Sequence, residues 1–487
     1  MLHLNPMLLA TVLSPMFFLL VINFAFIIFV IFVQRRNTAA TWAWVVAIAL
    51  FPIGGFIIYM LVGQDSRKQR VFLIKTDWDN QLLETYHSKG FGAREGDTTT
   101  DNRATLFHDG VTKFEALLHD IAQAKDFIFM QYYIFRGDET GETLIDALAK
   151  RAAAGVDVYL LVDGMGCRAT PRPMYKPLLD AGGRIALFLP PVPVRINFRN
   201  HRKIVVVDGT LAYLGGSNIG SEYLGKSARF GNWKDSHMRL TGGAVAPLTL
   251  RFIMDWNFSA ENTRNRSLFP RTREHRHFIR RLKSRVVDLQ VIDRYFPLGG
   301  EPKSEGAKFS IISSGPDTPY PYVLHEFCRM VVLAKKSIYI QSPYFVPDDA
   351  LFTALRIAAL RGVDVRIMYP ANPDHPLVYW AGSSYVGELM CCGVKGYEYT
   401  NGFIHSKTIM VDSEICAIGT ANMDVRSFKI NFETQAFIED PFITQELEDN
   451  FRKDMEDSRL LTLETYNQRK RSIKIRESLA RLFSPLI

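Results

Sequence analysis

Across its first 62 residues the chain has no Asp, Glu or Lys, and its only arginines there are Arg35 and Arg36. A stretch so poor in charge has no polar face to present to water, which excludes an ordinary globular N-terminal domain. Cysteine is scarce too. Cys167, Cys328, Cys391, Cys392 and Cys416 are odd in number and form no Cys-x-x-Cys pair, which argues against a disulfide framework and a structural zinc site and favours a reducing compartment. Setting aside Arg35 and Arg36 from the 58 basic residues leaves 56 against 50 acidic ones over residues 63–487. That modest positive excess favours anionic partners without specifying them. At 487 residues the chain is long enough for two or three domains of roughly 100–200 residues each.

From Leu4 to Val33 there is no charged side chain, and about 20 apolar residues suffice to cross a hydrocarbon core of about 30 Å. A second apolar run, Thr38 to Val62, follows after only Gln34, Arg35, Arg36 and Asn37. The pair predicts an N-terminal membrane anchor built as a transmembrane helical hairpin. The first run is too long, and lacks the preceding Lys or Arg, for a cleaved signal peptide. Two crossings return the chain to its starting side. There Arg67, Lys68, Arg70 and Lys75 outnumber the two arginines of the turn, which places the bulk of the chain in the cytoplasm. Pro52, Gly54 and Gly55 interrupt the second run, so a kinked or re-entrant segment is the alternative.

The remainder is an internal duplication. AKDFIFMQYYIF at 124–135 returns as AKKSIYIQSPYF at 334–345, and Gly155-Val-Asp-Val158 returns at Gly362–Val365. HRKIVVVDGTLAYLGGSN, His201 to Asn218, returns as HSKTIMVDSEICAIGTAN, His405 to Asn422. Three blocks in one order, with the offset falling from 210 to 207 to 204, describe one unit written twice with small indels. Each unit alternates Val/Ile/Tyr/Phe-rich strands with helical stretches, Glu142–Ala154 and Leu351–Leu360, and this predicts an α/β sandwich. The expected organisation is an anchor at 1–62, a connecting segment at 63–108, a first unit at 109–262, a basic linker at 263–308, a second unit at 309–460 and a basic helical tail at 461–487. The linker holds nine Lys/Arg against one acid between Arg264 and Arg285. It reads as a solvated loop, with an anionic headgroup contact as the sharper alternative.

In each copy His and Lys stand two apart, His201 with Lys203 and His405 with Lys407, so on a strand both leave the same face. Asp208 and Asp412 complete each H-x-K-x4-D motif and are counted with the catalytic set, placed to fix the turn and hold a neighbouring base. The next strand ends at Gly215-Gly216-Ser217-Asn218 and at Gly419-Thr420-Ala421-Asn422, where small residues admit close approach and Ser217, Asn218, Thr420 and Asn422 supply uncharged donors. If the units pack symmetrically, the two His, Lys and Asn pairs share one centre. Such a centre suits a phosphodiester, whose transfer requires in-line positioning and compensation of charge on the non-bridging oxygens. Two lysines supply that charge. Lys is not a usual divalent-metal ligand, so no metal or other cofactor is expected and a metallophosphatase is disfavoured. A neutral imidazole can act as nucleophile and a protonated one as acid, which splits the reaction into covalent formation and breakdown. Glu433, five residues after Phe428, and Asp235, five after Phe230, are the candidate carboxylates to orient the rings.

These twin H-x-K-x4-D-x6-G blocks resemble the phospholipase D superfamily. With the N-terminal hairpin, Ser313–Asp317 (SSGPD), Asn431–Glu433 (NFE) and the closing RLFSPLI, the chain is similar along nearly its whole length to the bacterial cardiolipin synthases of the two-motif type. The resemblance implies that one of His201 and His405 becomes a phosphohistidine while the other acts as acid and then base. It also implies that Lys203, Lys407, Asn218 and Asn422 hold the phosphate, and that Glu433 and Asp235 orient the histidines. One position departs: Gly216 stands where the family's motif usually has Ser, leaving Ser217 as the substitute hydroxyl. The implied reaction transfers a phosphatidyl group between two phosphatidylglycerol molecules, giving cardiolipin and glycerol at the bacterial inner membrane. A lipid hydrolase with the same covalent step is the nearest rival. A phosphodiesterase acting on nucleic acid is the second, and the anchor counts against it. Oligomeric state is left open, as is the use of phosphatidylethanolamine.

Overall fold

The computed structural model describes residues 15–32, 38–62, 70–189, 197–264, 287, 289–297 and 306–484. The first apolar run, the basic linker and the last residues of the tail therefore lie partly outside the described residues. Within the N-terminal region the helices are Pro15–Phe32, Thr38–Leu50 and Pro52–Val62. The second apolar run is thus bent rather than straight, because Pro52 has no N–H to return to the preceding turn. Helical bonds resume on either side of it, Phe51 N to Ala47 O at 3.0 Å and Gly55 N to Phe51 O at 2.6 Å. Val30, Ile48 and Tyr59 form a small buried seam, and Asn23 Nδ2 donates to Ile48 O at 3.1 Å. Phe24, Phe32, Trp42 and Leu50 point outward. Among the described residues no single helix is long and apolar enough to cross a membrane.

Both copies of the duplicated unit contribute to one mixed sheet. In the first, the order of strands is Trp233–Thr241, Leu211–Gly215, Ile204–Val207, Phe127–Tyr132, Asp157–Asp163 and Arg184–Phe188. In the second, the matching order is Glu433–Glu439, Ile415–Gly419, Thr408–Val411, Ser337–Gln341, Asp364–Pro370 and Lys395–Tyr399. Pairing follows the same pattern in both: Phe127 faces Asp157 in a parallel ladder as Ser337 faces Asp364, and Ile204 faces Leu214 antiparallel as Thr408 faces Ile418. The α/β expectation is met. The helices expected at Glu142–Ala154 and Leu351–Leu360 run Glu139–Ala153 and Asp349–Leu360. Their earlier starts are set by Asp138 and Asp348, whose carboxylates accept from Gly141 N and Ala350 N and satisfy otherwise orphaned N–H groups.

The halves meet through a strand that the sequence reading placed almost wholly in the connection at 63–108. Thr98–Asp109 pairs antiparallel with Ala307–Ser314, Thr98 against Ser310 and Asn102 against Ala307, while its other edge pairs with Trp233–Thr241. Its sequence, TTTDNRATLFHD, is too polar to show the apolar run of a central strand. The same connection holds the helix Arg70–Lys89. Lys75 on it, one of the cations that follow the apolar runs, is wholly buried. A single apolar core spans both halves, with Phe129, Phe188, Phe252, Trp256, Phe432 and Phe451 in one cluster. A further cluster lies outside it in each half. Truncating a buried ring such as Trp256 to Ala would cost about 3–5 kcal/mol.

Candidate active site

Each histidine motif sits on a short extended segment that pairs with the opposite half. His201 N donates to Phe432 O at 2.9 Å and Phe432 N to Arg199 O at 2.9 Å. In the other copy, Phe403–Ile404 runs parallel to Trp233–Lys234, and His405 N donates to Lys234 O at 2.7 Å. Phe432 and Lys234 are the residues immediately before Glu433 and Asp235. The cross-pairing therefore hands each histidine the carboxylate of the other half. His201 Nδ1 lies 2.9 and 3.0 Å from the two oxygens of Glu433, and His405 Nδ1 lies 2.7 Å from Asp235 Oδ2. The two His-x-Lys triplets directly precede their strands (Ile204–Val207, Thr408–Val411) instead of lying on them.

With Nδ1 engaged by a carboxylate, Nε2 is the nitrogen of each ring left to react. Both rings are almost fully buried. Burial pushes His201 down to about 4 against the pull of Glu433, with Lys203 and Lys407 adding to the depression. Burial and then Lys407 lower His405, and Lys203 contributes. Each half's lysine thus depresses the other half's ring as well as its own. Lys203 Nζ donates to His201 O at 2.7 Å and Lys407 Nζ to His405 O at 2.6 Å. Burial pushes Lys407 down to about 8 and Lys203 well below its ordinary value. Glu433 and Asp235 meet the same desolvation, but the facing imidazoles and lysines outweigh it and hold both carboxyls low. A phosphodiester anion entering this pocket would raise the affinity of imidazole and ammonium for protons, so substrate and proton are taken up together.

The remaining candidates fall into two groups. Thr420 Oγ1 donates to Glu433 Oε2 at 2.6 Å, so this hydroxyl, read as a phosphate donor, holds the orienting carboxylate. At the matching Gly216 a Cβ would stand 2.1 Å from Asp235 Oδ1. The missing hydroxyl in the first copy is therefore the space that Asp235 occupies. Ser217 Oγ, able to donate, and Asn422 Oδ1, an acceptor, are buried and have no hydrogen-bond partner among the described residues; an unpartnered hydroxyl suits a group that waits for a ligand. Asn218 Oδ1 accepts from Ile134 N at 3.1 Å.

Asp208 and Asp412 are not brought to the centre. At the far end of the motif strand, Asp208 accepts from the backbone N–H groups of Lys125, Asp126 and Phe127 at 2.8–2.9 Å. Asp412 does the same for Lys335, Lys336 and Ser337 at 2.7–2.9 Å. Both have positive φ, 51° and 57°, and they tie the motif turn to the start of the neighbouring strand. Sequence reading missed Asn431, whose Nδ2 donates to Glu433 Oε1 at 3.2 Å, although the NFE tripeptide carried it. It also missed two aromatic walls: Tyr133 lies edge-on to His201 with centroids 5.0 Å apart, and Trp233 lies 5.3 Å from His405.

A family model described as "Cardiolipin synthase, PLD-like domain" matches residues 117–228 and 327–455, and one described as "Phospholipase_D-nuclease N-terminal" matches residues 21–64. The chain is 40% identical to "Major cardiolipin synthase ClsA" of Bacillus subtilis (strain 168), over 98% of this chain and 99% of that one. It is 41% identical to "Cardiolipin synthase" of Listeria welshimeri, over 96% and 98%. Among solved structures, a phosphatidylserine synthase from Haemophilus influenzae superposes with a TM-score of 0.59 at 15% identity, over 84% of this chain and 100% of that one; this likeness concerns the fold alone. Two crossed histidine–carboxylate pairs on a duplicated α/β sandwich, and close identity from end to end with such enzymes, agree: the chain belongs to the cardiolipin synthase family of the phospholipase D superfamily.

Proposed function

We propose that the protein transfers a phosphatidyl group from one phosphatidylglycerol to the glycerol hydroxyl of a second, giving cardiolipin and glycerol. The observation that carries this reading is the exchange of carboxylates, which leaves one Nε2 atom free on each of two largely buried rings, each ring oriented by the opposite half and each influenced by the lysines of both halves. Burial holds the His201 ring neutral, as a nucleophile must be, and His201 is assigned that role. His405 is assigned as acid and base. In the first step His201 Nε2 bonds to phosphorus, the bond from phosphorus to the leaving glycerol oxygen breaks, and His405 delivers its proton to that oxygen. In the second, His405 takes the proton of the incoming lipid hydroxyl, the new P–O bond forms and the P–N bond breaks. Lys203 and Lys407, with Ser217, Asn218 and Asn422, offset charge on the non-bridging oxygens. The chemistry exchanges one phosphodiester for another, so it needs no nucleotide.

Water is the competing acceptor, and a site at a lipid surface biases the outcome toward transfer. The outward apolar side chains of the N-terminal helices support attachment to the bacterial cell membrane, and the cations at 67–70 support a cytoplasmic position for the catalytic units. The tail helix Arg471–Leu482 packs inward through Glu477 and Ala480 but leaves Ile475, Leu479 and Leu482 exposed beside Arg471 and Lys474, a pattern suited to an anionic interface. Purified protein given labelled phosphatidylglycerol in mixed micelles should form cardiolipin and glycerol in equal amounts. Phosphatidic acid as the main product would overturn transfer in favour of hydrolysis.

A further inference from the structure

The helix Arg70–Lys89 follows the apolar N-terminal helices in the chain, and it carries a wholly buried lysine. Lys75 Nζ is 2.6 Å from Asp79 Oδ2 on the same helix, 3.2 Å from Asp255 Oδ1 in the first half and 2.8 Å from Asp317 Oδ2 in the second. One ammonium thus joins three elements. The other oxygen of Asp255 accepts from Arg202 Nη1 at 2.6 Å, Gln131 Nε2 at 2.8 Å and Asn200 Nδ2 at 3.1 Å. Arg202 stands between His201 and Lys203, and its Nε reaches across the seam to Thr434 Oγ1 at 3.0 Å and Glu433 O at 3.2 Å. One turn before Lys75, Phe72 lies against Phe198 and Phe432, with centroids 5.1 and 5.6 Å away. The helix therefore grips both strands of the pairing that brings Glu433 to His201.

The second copy lacks this arrangement. Asp454 matches Asp255, accepting from Gln341 Nε2 at 2.8 Å as Asp255 does from Gln131. Its cation, however, is Lys234 at 2.8 Å, which comes from the acid-bearing strand itself. The position of Arg202 is taken by Ser406, whose Oγ is buried with no hydrogen-bond partner among the described residues. The two copies thus differ at this point, and the arrangement of the first connects it to the N-terminal region.

We infer that Lys75 is a positioning residue for His201: through Asp255 and Arg202 it holds the Phe432–Glu433 strand against the Asn200–His201 segment, and the His405–Asp235 pair does not depend on it. The inference rests on the reading of His201 and His405 as the two reacting imidazoles. Lys75→Met leaves Asp79, Asp255 and Asp317 short of a cation and risks misfolding, so the deciding variant is K75M/D317N, which removes one charge of each sign. The full-length protein in phosphatidylglycerol mixed micelles is assayed on three backgrounds: otherwise wild type, E433Q and D235N. On the first, kcat should fall about 100-fold, the scale expected when a reacting group is misplaced by about 1 Å, with KM within about two-fold of wild type.

Because Lys75 acts only through the His201–Glu433 pair, the double substitution should cost less than about three-fold more on E433Q and keep its full effect on D235N. A folded K75M/D317N protein with kcat within about three-fold of wild type, or equal losses on the E433Q and D235N backgrounds, overturns the inference. Failure of the unsubstituted protein to make cardiolipin is a different result and overturns the preceding reading instead.

Discussion

Glu433→Gln isolates what the buried carboxylate contributes to the first histidine. When His201 Nε2 bonds to phosphorus the ring becomes cationic, and Glu433, buried and 2.9 Å from Nδ1, is the anion facing that charge. A neutral amide keeps the shape and loses the charge. The surroundings tolerate it: Asn431 Nδ2, 3.2 Å from Oε1, can donate to the amide oxygen. Thr420 Oγ1, now facing an NH2 group, has Thr434 O at 3.2 Å as an alternative acceptor. The fold should therefore survive while the step loses about 1.5–3 kcal/mol, the worth of a hydrogen bond to a charged partner. That corresponds to about 10- to 150-fold in kcat. KM should stay within about two-fold, because Glu433 faces the ring and not the substrate. The assay is initial-rate release of labelled glycerol from phosphatidylglycerol, with thermal unfolding in the same micelles as the folding control. A folded E433Q enzyme with kcat within about three-fold of wild type would refute the reasoning, since His201 would then need no anion behind it.

Gly216→Ala drives a methyl group against Asp235 Oδ1, where only 2.1 Å is free, and should lower kcat at least about 10-fold by displacing the partner of His405, measured as above. Thr420→Ala removes one hydrogen bond from Glu433, worth about 1 kcal/mol, and should cost only about five-fold in the same assay. Asp208→Asn should lower stability by about 1–2 kcal/mol through its three amide contacts while kcat per folded molecule stays within about two-fold of wild type; a larger loss of kcat would return this residue to the catalytic set. Acid should destabilise the protein through His201. Its value falls from about 6.5 to about 4 on folding, so the unfolded chain binds more protons between those values. Stability from this group is complete above about pH 6.5 and lost by about pH 4, up to about 3 kcal/mol. H201N should lose correspondingly less in unfolding measured at pH 7.5 and 4.5.

Much of this was legible beforehand because it is local or repeated. The duplication, the His-x-Lys spacing and the acid five residues after a Phe in each half all survive as linear pattern. What linear pattern could not show was which acid meets which ring. That follows from a pairing between segments some 230 residues apart in the chain, His201 with Glu433, and pairing across a seam leaves no mark on either strand alone. Asp208 and Asp412 fix the turn as their motif position suggested, but hold no base among the described residues. They share a motif with the histidines, yet they sit at the other end of a strand where backbone N–H groups need an acceptor. Gly216 looked like a lost donor until Asp235 was seen to fill its space. Lys75 reads as a surface cation because its three carboxylates come from positions 79, 255 and 317.

The exchange of carboxylates means that neither repeat is a working enzyme in miniature. A solitary copy would expose an imidazole with nothing behind it and an acid with nothing in front of it, so any single-repeat ancestor had to function as a two-fold dimer. Joining two copies end to end removed the requirement that both faces of that ancient interface stay identical. Arg202 opposite Ser406, and Gly216 opposite Thr420, are where each side has since been free to specialise.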